Sequence, residues 1–290
     1  MTGIRAILYR HRFWLTVVLL TWGVFFIFLF ARIFEQQPDG FYAGHEHVWG
    51  DWAIHTAMVN IFAYKDVEYW FAYHPIYAGG KLTYAFLTNM ISGLLIRWLG
   101  FSHPLALILP SILFSLARIF GIYFLGYLCT RSKSQAYLAL TLFLMSSGGG
   151  FVNFIRDMWR DPHWEYIKYP IRDYSRFNQY DWGTGNIITG MLMPQRAYLL
   201  GMTLGVAALI GLLYVLQRPR LTPAVQKKVL FISGLLAGIL PIAHAHSFIA
   251  LMILAGIVCI FHWRHWKILT WFVLPAAILS SVLYTTFIYG

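Results

Sequence analysis

Long apolar runs separated by short basic segments restrict the fold of this chain more than any other feature of its sequence. The first run covers residues 13–31 and is long enough to cross a bilayer as a helix. Hydrophobic residues make up 59% of the chain and charged residues 11%, which is typical of an integral membrane protein. Because backbone polar groups in lipid must be satisfied within the segment, the runs predict an all-α polytopic membrane protein.

The other predicted spans cover residues 104–129, 136 to about 151, 190–216, 229–243, 248–261 and 268–288. The first run is too long for the apolar core of a signal peptide and lacks a clear cleavage site, so we predict that it is retained. The sequence shows no internal repeat and no low-complexity linker, which predicts a single domain over residues 1–290. The chain stops directly after an apolar run, so a missing C-terminal portion is left open.

The positions of Lys and Arg predict the topology. Four short segments are basic: the N-terminal arm and residues 131–133, 218–228 and 264–267. All four fall on the cytoplasmic side only if an ambiguous run, residues 82–99, does not cross completely, so we predict that this run is a juxtamembrane or re-entrant helix. The result is seven spans, a cytoplasmic N-terminus and two external segments, residues 32–103 with juxtamembrane helices and residues 152–189.

The composition also excludes some classes of protein. The formal net charge is +11, but Lys and Arg cluster between apolar runs and do not form a basic stripe, which argues against nucleic-acid binding. Cys129 and Cys259 lie in or at the ends of apolar runs, so they indicate neither a disulfide framework nor a thiolate metal site. The membrane itself is the predicted environment and partner.

The first external segment carries ionisable residues directly after the first span. Five lie between positions 45 and 55, among them Glu46, Asp51 and His55. Asp51 and His55 are four residues apart and share a face if the stretch is helical, a pairing that suits a general base or a metal ligand set. An ion pair on an interfacial helix, or a solvated loop anchored by tryptophans, is the alternative. His74 follows next to a proline, which predicts an extended segment or a turn.

A second group of polar residues belongs to the other external segment. Residues 146–150, with three glycines, are predicted to end the third span, since glycine disfavours helix. Asp157 and Trp164 follow in an acidic and aromatic loop, and Asn186 precedes the fourth span. A solvated loop without a chemical role accounts equally well for each of these residues alone.

Cationic residues mark two span ends on the same predicted side. Gln195 and Arg196 open the fourth span, where a guanidinium and helix-start N–H groups favour an anion. His244 and His246 follow the fifth span. They suit a phosphate or a metal, whereas a snorkelling arginine and helix-capping histidines are the alternatives.

These residues together resemble the GT-C superfamily of polytopic glycosyltransferases, which includes protein O-mannosyltransferases and the lipid A aminoarabinose transferase. Asp51, between Gly50 and Trp52, and the His74-Pro75 pair occupy the places of that superfamily's first-loop acidic residue and His-Pro element. The resemblance implies a module of seven spans and a polyprenyl-phosphate sugar as donor. It also implies that Asp51 is the base that activates the acceptor, with Asp157 in the place of a second acidic residue.

The implied reaction assigns a role to each candidate residue. Asp51 removes a proton from an acceptor hydroxyl on a lipid, glycan or protein, and His55 positions it. Positive charge stabilises the departing phosphate. The donor-phosphate ligands are then Gln195, Arg196, His244 and His246, and the substrate contacts are Glu46, His74, Trp164 and Asn186. The sequence indicates no cofactor with certainty, and a divalent metal is left open.

Two other functions are compatible with the sequence. A buried Arg118 within a span favours a lipid transporter or flippase, although the paired charges and repeats of transporters are missing. A non-catalytic, lipid-binding subunit is the other alternative. Residues 194–196 and 244–246 resemble a bacterial or archaeal branch, which favours a plasma membrane over the ER membrane.

Overall fold

The computed structural model describes residues 4–45, 48–146, 149–167, 169–172, 174 and 186–289, which are mostly helical. The α-helices of this part are α1 (Ile4–Val18), α2 (Val24–Ala31), α3 (Trp49–Tyr64), α4 (Leu87–Leu99), α5 (His103–Thr130), α6 (Lys133–Leu144), α7 (Phe151–Arg160), α8 (Arg196–Leu216), α9 (Pro223–Gly238), α10 (Leu240–Ala243), α11 (Ala245–Phe261) and α12 (Trp266–Leu283). A π-helical turn, Leu19–Gly23, joins α1 to α2 without a break. A hairpin of β1 (Phe34–Gln37) and β2 (Gly40–Ala43) follows, in antiparallel register.

Five helices in the described part are long and apolar enough to cross a membrane: Leu8–Ala31, His103–Thr130, Arg196–Leu216, Pro223–Ala243 and Trp263–Ile288. This is compatible with an integral membrane protein. Two predicted spans are shorter. Helix α11 has 17 residues, and α6 has 12. Helix α6 is therefore about 18 Å long, whereas the hydrocarbon core of a bilayer is about 30 Å thick.

The predicted span over residues 136–151 was wrong in its extent. Helix α6 ends at Leu144, and α7 begins a separate helix at Phe151. Gly149 between them has φ +81°, a left-handed conformation that a helix cannot continue through. The position of α6 along the first helix is marked by Trp22, whose Nε1 donates to the Thr141 hydroxyl at 3.1 Å.

Helices α3 and α4 follow the first long helix in the chain and precede the second, and they pack against each other. Gly93 permits the close approach, since a Cβ there would lie 2.5 Å from the Phe62 Cβ and 2.9 Å from the Val59 carbonyl oxygen. Helix α4 has 13 residues, or about 20 Å, so like α6 it is shorter than the hydrocarbon layer is thick.

Contacts between three of the basic segments place them together. Lys133 Nζ, in the turn after α5, donates to the Arg10 carbonyl at 2.7 Å. Arg131 in the same turn donates to the Gln217 side chain just after α8. The N-terminal arm, the turn at 131–133 and the loop after α8 therefore meet at one end of the helix bundle, which we call the basic end.

The fourth basic segment lies at the basic end as well. Lys227, in the first turns of α9, lies 5.3 Å from the ring centroid of Trp271. Trp271 belongs to the start of α12, directly after residues 264–267. The basic end thus contains all four segments that the charge pattern predicts on one side of the membrane.

Charge is divided unequally between the two ends. The N-terminal arm and residues 131–133, 218–228 and 264–267 contain eleven of the 22 Lys and Arg residues and none of the eleven Asp and Glu residues. Every acidic residue lies between Glu35 and Asp181. The excess of +11 therefore belongs to the four segments of the basic end, and the rest of the chain is balanced.

Candidate functional site

Arg196, the first residue of α8, is held in a cage of neutral acceptors. Its side chain is fully buried. Nη1 donates to Asn89 Oδ1 at 3.1 Å, and Nη2 donates to Ser92 Oγ at 2.7 Å and to the Leu107 carbonyl at 3.2 Å. Nε donates to Ser111 Oγ at 3.4 Å. The guanidinium therefore joins α4, α5 and α8, and these protein acceptors engage most of its donors.

Trp52 connects the same cage to α3. Its ring centroid lies 5.4 Å from the Arg196 Cζ, and its Nε1 donates to the Met193 carbonyl at 2.9 Å. Asn89 and Ser92 were not recognised as partners of Arg196 from the sequence, although their spacing places them on one face of α4. This arrangement makes Arg196 an anchor for the first-segment helices.

His55 lies inside the cage and away from solvent. It is 2% exposed, and its Nδ1 accepts a hydrogen bond from the Asn89 amide at 3.1 Å. Burial, with a smaller contribution from the Arg196 charge, lowers the pKa of His55 to about 3. His55 is therefore neutral at physiological pH. The expected Asp51–His55 pair is not formed, because Asn89 takes the Nδ1 atom and Asp51 faces solvent.

We expect His55 to make the fold sensitive to acid. Its pKa is about 3 in the folded chain, against 6.5 for an unperturbed histidine, so the unfolded chain binds the proton more readily. Stability is fully present above pH 6.5 and falls as the pH drops towards 3, by up to about 1.4 kcal/mol per pH unit. Melting temperatures should therefore fall less between neutral and acidic pH in His55→Gln than in the parent chain.

The exposed His265 provides the matched control for this measurement. His265→Gln should retain the parent's loss of melting temperature in acid. Equal acid sensitivity of His55→Gln and the parent chain would show that His55 is protonated equally in the folded and unfolded states.

Asp51 is exposed at the N-terminal end of α3, on the helix face that is buried further along. It lies in the first turn, where a carboxylate is favoured by the helix dipole. His55, Met58 and Phe62 follow at helical spacing and are buried, whereas Asp51 lies beyond the packed part of the face. Burial and the nearby Asp51 charge raise the pKa of Tyr84. Asp51 is thus an accessible carboxylate with a phenol nearby.

His244 and His246 lie where the chain passes from α10 to α11. His244 Nδ1 accepts from the Ser247 backbone N–H at 3.1 Å and lies 2.8 Å from its hydroxyl, which places the ring proton on Nε2. Burial, and then the neighbouring His246, lowers the pKa of His244 to about 4. The His246 side chain is exposed, and the two ring centroids are 5.4 Å apart.

Helix α8 is the direct neighbour of this histidine pair. The His244 ring lies 5.2 Å from the ring of Tyr198, two residues after Arg196. A Cβ on Gly201 would lie 2.3 Å from the His244 Cβ, so glycine permits this approach. The expected adjacency of the α8 start and His244 is therefore observed, although the Arg196 donors point into the cage.

One apolar cluster contains residues from the first external segment and from α10, the helix directly before His244. It contains Ile54, Leu82, Phe86 and Ile242, contributed by α3, the segment before α4 and α10. Asp51, Tyr84 and His244 lie within three residues of one or more of these members. The cluster therefore packs together the chain segments that carry Asp51, Tyr84 and His244, and we call the cluster with these three residues the cluster site.

Asp157 is engaged in an ion pair apart from these residues. It is 6% exposed, and its Oδ2 lies 2.9 Å from Arg172 Nε. Arg172 Nη2 donates to Oδ1 at 3.0 Å, and the Tyr174 hydroxyl donates to Oδ2 at 3.0 Å. These contacts join α7 to the following loop and give Asp157 a structural role. Trp164, in that loop, is 77% exposed.

Asn186 closes the end of α6. Its amide nitrogen donates to the Leu144 carbonyl at 3.3 Å and to the Ser146 carbonyl at 3.1 Å, and its Oδ1 accepts from the Ile188 N–H at 2.8 Å. It therefore serves as a cap for unsatisfied carbonyls. Gln195 is half-buried at the residue before α8. Glu46 lies outside the described residues.

His74 faces a separate cleft. Its Nδ1 accepts from the Ile76 N–H at 3.3 Å, and it lines a cavity of about 770 Å³ beyond the end of α3. Tyr69 and Tyr73 line the same cavity with stacked rings, whose centroids are 6.2 Å apart. Aromatic faces beside polar groups suit a sugar ring.

Arg118, midway along α5, contrasts with Arg196. It is fully buried, and its three guanidinium nitrogens have no hydrogen-bond partner among the described residues. The Phe26 ring centroid lies 4.9 Å from its Cζ. An uncompensated cation at this depth is costly.

The described residues contain no group of three or more His, Cys, Asp or Glu side chains placed to hold a metal ion. No protein-family model, curated protein or solved structure matches this chain.

Proposed function

We propose that this chain is a membrane glycosyltransferase of the GT-C type, with seven spans that include the short α6 and α11. It would transfer a sugar from a polyprenyl-phosphate donor to an acceptor hydroxyl at the end opposite the basic end. The observation that carries the proposal is the cluster site, where apolar packing joins the segment of the accessible Asp51 to the segment of the histidine pair. In this proposal the isoprenoid lies in the surrounding lipid, and the sugar phosphate lies beside the polar side chains.

In the proposed reaction, Asp51 accepts the proton of the acceptor hydroxyl. The hydroxyl oxygen forms a bond to the anomeric carbon, and the bond from that carbon to the phosphate oxygen breaks. The polyprenyl phosphate leaves with the electron pair of that bond. Tyr84 lies near enough to orient the acceptor or the carboxylate through its hydroxyl.

The histidines are better placed than Arg196 to meet the departing phosphate. His244 retains an Nε2–H donor, and His246 is exposed beside it. Arg196 instead acts as a positioning residue, because its buried guanidinium holds α4 and α5 at the start of α8. Hydrogen-bond donors aimed at developing negative charge stabilise such a transition state.

We propose that the His74 cleft, whose paired tyrosines suit a glycan or a glycolipid headgroup, binds a part of the acceptor remote from the reacting hydroxyl, because it lies at the opposite end of α3 from Asp51. A lipid or a protein hydroxyl fits the same chemistry. The scheme uses protein groups alone, and addition of EDTA would test for a divalent metal.

Transfer of label from a radiolabelled polyprenyl-phosphate sugar, by the purified chain in liposomes, tests the proposal. Movement of the intact donor across the bilayer without transfer would support a flippase, the second candidate, which the unpaired Arg118 favours. Donor binding without transfer or movement would indicate a non-catalytic subunit.

Cysteine labelling is expected to place the basic end in the cytoplasm. In a background with Cys129 and Cys259 replaced by serine, Ala72→Cys should react with an impermeant thiol reagent in intact cells. Ser134→Cys and Ala224→Cys, at the basic end, should react only after permeabilisation. Reaction of either of these two in intact cells would contradict the seven-span arrangement.

A further inference from the structure

A groove with an apolar wall opens between α1, α5 and α8 at the basic end. Its volume is about 460 Å³. Leu8, Phe124, Leu128 and Ile210 contribute to the wall, and Leu8 is 46% exposed. A surface of this kind between spanning helices accommodates an acyl chain and gives a soluble anion little to contact.

Two arginines from different segments line the same groove. Arg10 belongs to α1, and Arg218 follows α8. The Arg218 Cζ lies 4.4 Å from the Tyr214 ring centroid, and its Nη1 lies 3.2 Å from the Tyr214 hydroxyl. The Tyr127 side chain lines the groove as well. Two guanidinium groups with neighbouring hydroxyls form a donor set suited to a phosphate.

The charge of this region favours an anion from outside the chain. The four segments of the basic end contain eleven Lys and Arg residues and no Asp or Glu. Within the described part of the protein, neither Arg10 nor Arg218 forms a salt bridge. Basic pockets between spanning helices are favoured sites for acidic lipid headgroups.

We propose that this groove binds one anionic phospholipid, with its phosphate between Arg10 and Arg218 and an acyl chain along Phe124, Leu128 and Ile210. The combination of a cationic rim and an apolar wall distinguishes a phospholipid from inorganic phosphate, which would use the rim alone. This site lies at the end opposite the cluster site, and it does not depend on the proposed glycosyltransferase activity.

Native mass spectrometry of the full chain in mild detergent would test the site, with equimolar phosphatidylglycerol and phosphatidylcholine. We expect one phosphatidylglycerol to be retained in preference to phosphatidylcholine. Arg10→Gln and Arg218→Gln should each reduce its occupancy about fivefold, since one arginine near a lipid surface contributes about 1 kcal/mol. Ile210→Trp, which fills the groove without changing charge, should also displace the lipid.

Arg264→Gln is the matched control, because Arg264 belongs to the basic end but does not line the groove. It should retain phosphatidylglycerol like the parent chain. Equal loss in Arg264→Gln and Arg218→Gln would overturn the proposal in favour of a diffuse field. Equal retention of the two lipids would also overturn it, as would displacement by glycerol phosphate at the concentration of the lipid. Monodisperse gel filtration of each variant would establish that it is folded.

Discussion

Asp51→Asn is expected to abolish sugar transfer while leaving the chain folded and able to bind donor. The amide keeps the shape of the carboxylate but cannot accept the proton of the acceptor hydroxyl. Loss of a general base lowers the rate by about 100-fold or more. Because Asp51 is exposed and lies outside the buried contacts of α3, the melting temperature should remain within a few degrees of the parent value. Turnover of a radiolabelled donor measures the first effect and thermal unfolding the second.

Asp39→Asn provides the control for this substitution. Asp39 is an exposed carboxylate of the same segment, at the turn between β1 and β2, and accepts a hydrogen bond from the Tyr42 hydroxyl at 2.8 Å. Transfer should be unaffected by this change. Near-normal transfer by Asp51→Asn would mean that another group is the base, and equal loss in both variants would point to a general effect of surface charge.

Arg196→Met is expected to lower the stability of the chain, whereas Arg118→Met is expected to leave it unchanged or to raise it. Removal of the Arg196 guanidinium leaves Asn89 Oδ1 and Ser92 Oγ without their donor in a buried cage. Such a loss costs about 3 kcal/mol, which corresponds to a fall of about 6–12 °C in melting temperature for a chain of this size. Thermal unfolding of the purified variants in detergent measures both effects.

Arg118→Met removes a cation whose three nitrogens have no partner among the described residues. The contact with Phe26 contributes about 2 kcal/mol when desolvated, whereas burial of an unpaired ion costs several kcal/mol. The melting temperature should therefore stay level or rise by a few degrees. A fall as large as that of Arg196→Met would show that a bound anion compensates the Arg118 charge in the purified protein.

The sequence predicts the helices better than it predicts their contacts. Apolar runs locate the five long helices because hydrocarbon demands length and continuity. The basic segments share one end, as the charge pattern predicted. The apolar run extended past the end of α6, whereas the glycines of residues 146–150 correctly predicted a helix break before α7.

In the candidate site, too, the sequence predicts helical placement better than contacts. A four-residue spacing correctly suggests that Asp51 and His55 share a helix face. The spacing does not show that α4 packs over His55 and leaves Asp51 exposed. The role of Arg196 depends on neutral acceptors from α4 and α5, up to 107 residues away in the sequence. No local pattern reveals such acceptors, since Asn and Ser in an apolar run have many uses.

The early end of α6 has a consequence for the surrounding lipid. Trp22 and Thr141 are level with each other, and from there the first helix continues for about 14 Å to Ala31 whereas α6 ends after about 5 Å, at Leu144. The first helix therefore extends about 9 Å past the end of α6, whose last carbonyls accept hydrogen bonds from Asn186. The resulting hydrophobic mismatch is expected to thin the bilayer locally on this flank. A thinned flank shortens the distance over which a lipid-linked sugar headgroup must be drawn out of the interface.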